Sequence, residues 1–129
     1  MHVLPGVHQT FFGAGSPPVT LTYVGNNTDT ANQTNYTFSS ESIGAQQTGR
    51  YIIVATEHND VSSVTVGGDS ATKIVKLTDL ALWWFSYDNE NTTADLVATG
   101  AGSSASCLLL IFQIYDGAST TFRTSGTSP

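Results

Sequence analysis

At 129 residues the chain is the size of one ordinary domain, long enough to close a single core without staples. Only 11% of its residues are charged, and four Lys/Arg stand against ten Asp/Glu. That balance removes the phosphate-neutralising term on which nucleic-acid binding depends, so no DNA or RNA partner is expected.

The first 18 residues, "MHVLPGVHQTFFGAGSPP", set Val3, Leu4, Val7, Phe11 and Phe12 among Pro5, Gly6, Gly13, Gly15, Pro17 and Pro18. Neither a helix nor a central strand suits that backbone, so residues 1–18 read as an extended arm whose apolar side chains attach it to another protein. The arm has no basic region followed by an apolar one, and no signal peptide is expected. From residue 19 the periodicity is that of strands: Val19–Val24, Asn35–Ser40, Arg50–Thr56, Ser62–Val66, Ala71–Lys76, Leu80–Tyr87, Thr93–Thr99 and Cys107–Tyr115. Gly67-Gly68 signals a hairpin, whereas "GNNTDTANQT", "DNEN" and "GAGSSAS" read as loops. About eight short strands without a helix predict one antiparallel β-sandwich over residues 19–118, jelly-roll or immunoglobulin-like, with residues 119–129 as a C-terminal tail. The longest apolar runs stop far short of the ~20 residues of a membrane helix, so no membrane passage is expected. The lone Cys107 cannot form an intrachain bridge, which fits synthesis in a reducing cytoplasm. Four Asn-x-Ser/Thr sequons, at Asn26, Asn32, Asn35 and Asn91, read as a by-product of Asn/Thr-rich composition.

Three strands break the alternation that a half-wetted sheet should show. Counting by twos, Leu80–Tyr87, Cys107–Tyr115 and Tyr51–Ala55 are apolar on both faces. Something must cover the outer face of at least one sheet, either a terminal arm or a neighbouring subunit. Trp83 and Trp84 are strand neighbours and point to opposite sides. One belongs in the core and the other at a subunit interface; alternatively an outward Trp, with Tyr87, stacks on a sugar ring.

The chemistry-bearing residues are few. Glu57-His58-Asn59-Asp60 has the residue types of a base or a metal site, but adjacent residues on an extended chain point apart, and His2 and His8 lie in the arm. It reads as a solvated turn between strands. Gly100–Ala105 matches a relaxed dinucleotide fingerprint without the βαβ unit that gives it meaning. Asp88–Asn91 lacks the glycine and terminal Glu of a calcium loop. No catalytic constellation, metal site or cofactor is expected.

Arg50–Ala55, then Val64–Gly68 with Ala71-Thr72-Lys73, then Leu82-Trp83-Trp84, then Thr92–Val97 resemble a β-sandwich domain that recurs in virion proteins of tailed bacteriophages. The likeness covers residues 35 to 118. It implies a non-enzymatic structural protein of the virion, assembled in the host cytoplasm. The expected role is a capsid decoration or cement protein that associates with copies of itself, as a trimer, and with a major capsid or other virion protein. A tail or fibre component, or a carbohydrate-binding module using Trp83, Trp84 or Tyr87, is the alternative.

Overall fold

The computed structural model describes residues 20–47, 49–86 and 91–115. The two terminal segments, with Val3, Leu4, Val7, Phe11 and Phe12, lie outside the described residues, as does Tyr87. Among the described residues there are nine strands and no helix: β1 (Thr20–Asp29), β2 (Gln33–Ser42), β3 (Arg50–Glu57), β4 (Val61–Val66), β5 (Asp69–Ser70), β6 (Thr72–Lys76), β7 (Leu80–Ser86), β8 (Thr93–Ser104) and β9 (Cys107–Tyr115). The Gly67-Gly68 hairpin forms as its sequence predicts. Both glycines hold positive φ, 61° and 93°, which an L side chain resists, and β5 returns along β4 for two residues.

Two expected loops are strands. Gly25–Asp29 continues β1, pairing with Cys107–Ile111 beyond a register shift at Tyr23/Gly25, and Gly100–Ser104 continues β8. Neither segment has the apolar alternation that marks a strand, because its neighbours' ladder bonds, rather than its own side chains, hold it in place.

All pairings are antiparallel, in a five-stranded sheet ordered β1-β9-β3-β7-β6 and a four-stranded sheet ordered β2-β8-β4-β5. Set β6 aside as an added edge strand, and the nested pairs β1·β9, β2·β8, β3·β7 and β4·β5 are those of a ribbon rolled up once. This interleaving is the jelly-roll form of the sandwich.

Between the sheets lies one core, with Tyr36, Phe38, Ile52, Val54, Val64, Val66, Trp83, Leu96, Leu109 and Ile111 all buried. Two of its aromatic side chains have their polar atoms satisfied. The Trp83 indole N–H donates to Thr56 Oγ1 at 3.1 Å, and the Tyr36 hydroxyl meets the carbonyls of Ala31 and Ser104. At the β2–β3 end, Arg50 is fully buried and donates to the carbonyls of Gly44 and Ala45 at 3.0 and 2.9 Å and to that of Asn91. Gln113 donates to the same Ala45 carbonyl at 2.7 Å. The turn before β3 is thereby tied to the sandwich by a charged donor, the stronger kind of hydrogen bond.

Candidate docking face and the β3–β4 turn

Because side chains alternate along a strand, the inner set Ile52, Val54, Trp83, Leu109 and Ile111 obliges its neighbours to point outward. On the outer face of the five-stranded sheet they meet in rungs. Leu21, Ile114, Tyr51 and Ser86 form the first, and Tyr23, Phe112, Ile53, Trp84 and Thr72 the second. Asn26, Leu110, Ala55, Leu82 and Val75 form the third, and Thr28, Leu108, Glu57 and Leu80 the fourth. Glu57, at one end, is the single charged residue in these rungs.

On β3, Tyr51, Ile53 and Ala55 are 4%, 9% and 6% exposed although they face away from the core. Edge-on ring contacts, Tyr23 with Phe112 at 5.6 Å and Tyr51 with Trp84 at 5.8 Å, tie the flanks to this centre. The rim stays open, with Leu21, Tyr23, Val75 and Leu80 exposed and Leu77 exposed just past β6. At about 4.8 Å per strand and about 3.3 Å per residue, five strands over the length Tyr51–Glu57 make a face of roughly 550 Å². That is near the top of the range for the largest apolar patch on a monomer, about 300–600 Å².

Trp83 and Trp84 do point to opposite sides. Of these two candidate interface or sugar-stacking residues Trp83 is the core one: it is 2% exposed, shares a face with Ala81 and pairs with Val54. Its ring is open to neither a subunit nor a glycan. Trp84 is half-buried in the outer face.

The β3–β4 turn departs further from expectation. Asn59 and Asp60 are exposed, but His58 is buried, 2% exposed. Its backbone N–H donates to the Asp79 carbonyl at 2.8 Å, its ring lies edge-on to Tyr36 at 5.5 Å, and Nδ1 accepts the Asp60 backbone N–H at 2.9 Å. Gly100 provides the space: a Cβ there would sit 2.3 Å from His58 Cε1. The Asn/Asp-rich string signals a turn, and only the long-range approach of β8 buries one member of it. Burial holds the His58 imidazole below its ordinary pKa, opposed by the nearby Asp60 carboxylate. Asp60 is itself held below the usual carboxylate range by Lys76, with which it pairs at 2.5 Å.

Among the described residues no group of three or more His, Cys, Asp or Glu is placed to hold a metal ion, and no helix is long and apolar enough to cross a membrane. No protein-family model and no curated protein matches this chain.

Proposed function

We propose that this protein is a non-enzymatic structural component of a virion, a capsid decoration or cement protein that packs against other copies of itself through the outer face of its five-stranded sheet. One observation carries the reading: four rungs of mostly apolar and aromatic side chains, interrupted by Asn26, Thr28, Thr72 and Ser86 and charged only at Glu57, face away from the core. Packed face to face, two such surfaces cover at most roughly 1,100 Å², below the ~1,200 Å² at which specific interfaces begin, so contacts with the shell have to complete the attachment. Support also comes from the architecture, since jelly rolls are common in viral capsid domains, and from the resemblance to phage virion sandwiches. Lectins share the architecture, but with Trp83 inside the core no observation favours a glycan platform.

The test is the solution mass of the purified chain, alongside its retention on particles through a salt and heat series. Leu21→Glu combined with Leu80→Glu alters exposed rim positions only, and should leave the fold intact while shifting the protein to monomer and releasing it from particles. Val97→Glu, on the opposite sheet, should do neither. A wild-type protein that stays monomeric at high concentration and is held on particles equally well with the double substitution overturns the reading.

A further inference from the structure

His58 is the one buried imidazole among the described residues, and no contact on the outer face uses it. Its environment prescribes its chemistry. Nδ1 faces a backbone donor, the Asp60 N–H, so Nδ1 carries the lone pair and Nε2 the proton. Nε2 is buried with no hydrogen-bond partner among the described residues. The ring is thus held by one accepted hydrogen bond, by the edge of Tyr36, and by the bare Cα of Gly100. Three strands meet on it, β2 through Tyr36, β8 through Gly100 and β3 through its own backbone.

We infer that His58 is an acid-release latch, which closes the β3–β4 turn onto β8 while neutral and opens it when a second proton arrives. A proton on Nδ1 converts the acceptor into a donor that points at another donor, the Asp60 N–H, so the bond holding the ring becomes a repulsion. It also leaves a cation in a site where Nε2 already lacks a partner. Swinging out to water relieves both. With the ring gone, the seam beside Gly100 is empty and the contact from Tyr36 is lost.

The groups facing the ring set the direction. Tyr36 turns its hydroxyl away, to Ala31 and Ser104, and Gly100 contributes no side chain. Asp79 contributes its backbone carbonyl, and Glu57, the preceding residue, is exposed on the opposite side of the strand. Asp60 favours the charged ring, but Lys76 opposes it and already pairs with Asp60, and burial outweighs both. A group whose folded-state pKa lies below its unfolded value binds its proton more readily when unfolded. Stability from His58 is therefore complete above about pH 6.5, and falls as the pH drops through that value toward the folded-state one.

Ring NMR of the full-length protein, with ¹⁵N and ¹³C labels on histidine, tests this directly. The expected result at pH 8 is the Nε2–H tautomer for His58 and, on acidification, a midpoint below 6.5. Substitution His58→Asn supplies a second readout, because an Asn oxygen can accept the N–H two residues on, as in an Asx turn, yet does not titrate. Urea denaturation from pH 7.5 to 5 should then show the wild type losing stability relative to H58N by a widening margin. His2 and His8 are present in both proteins and cancel in that difference. If the variant does not fold, the wild-type titration decides alone. A His58 midpoint at or above 6.5, an Nδ1–H tautomer at pH 8, or parallel pH profiles for the two proteins would overturn the latch.

Discussion

Across the outer face of the five-stranded sheet one rung reads Tyr23, Phe112, Ile53, Trp84, Thr72; across that of the four-stranded sheet one reads Thr37, Val97, Thr65, Ser70, and the next Asn35, Thr99, Ser63. Both sets contain residues that favour strands, since Thr, Val, Ile and aromatic side chains all suit a pleated surface. Strand formation therefore does not require an apolar outer face, as the hydroxyl-bearing sheet demonstrates within the same molecule. What the apolar side chains add is a surface at the upper end of what a monomer leaves in water. The contrast distinguishes the two sheets: one has a mostly apolar outer face and the other a hydroxyl-bearing one.

The largest expected effect lies beneath the apolar face. Trp83→Ala opens a large cavity on the inner side of β7 and removes the donor to Thr56 Oγ1, and should cost roughly 3–5 kcal/mol in urea unfolding. A cost near that of an exposed tryptophan would mean that the inner and outer faces have been assigned the wrong way round. Next comes the comparison of the faces themselves. Ile53→Ala, pointing outward but flanked by Phe112 and Trp84, should cost about 2–4 kcal/mol, whereas Thr65→Ala on the other outer face should stay within about 0.5 kcal/mol. Equal costs would erase the distinction between an apolar face and a hydroxyl-bearing one.

The smallest effect concerns Cys107, fully buried between the sheets, where burial raises the thiol to about 11. At pH 8 only about one thiol in 1,000 is then ionised, so a thiol-reactive disulfide reagent should label it no faster than the domain unfolds. The unfolded thiol ionises first, near 9.0, so its contribution to stability is intact below that pH and is lost as pH rises toward 11. Prompt labelling of the native protein would show the interior to be open.

The sequence discloses the sandwich because periodicity and turn chemistry are local. Tyr36 and Phe38 alternate with Thr37 and Asn35, and Gly67-Gly68 can do little but turn. It also discloses the unusual sheet, since Tyr51–Ala55 and Cys107–Tyr115 carry apolar residues at successive positions. It does not disclose which Trp is inside, because the inward phase of β7 depends on its partner β3. It misleads at His58 for a related reason. Glu-His-Asn-Asp has the composition of a wet turn, and burial comes from 42 positions away, at a glycine whose Gly/Ser-rich neighbourhood reads as a loop and does not point to His58. The rolled topology is likewise invisible to any window shorter than the span from β1 to β9.

That topology also has a meaning in time. The last described strand, β9, lies between β1 and β3, so neither has its full set of partners until residue 115 has been synthesised. At about 5–20 residues per second, β3 waits roughly 3–12 seconds after its own completion, apolar on both faces and with one side of its backbone unpaired. The outer face is thus a liability for the nascent chain. Slower translation past β8 should lower soluble yield, and holdase chaperones that shield Tyr51–Ala55 during that interval should restore it.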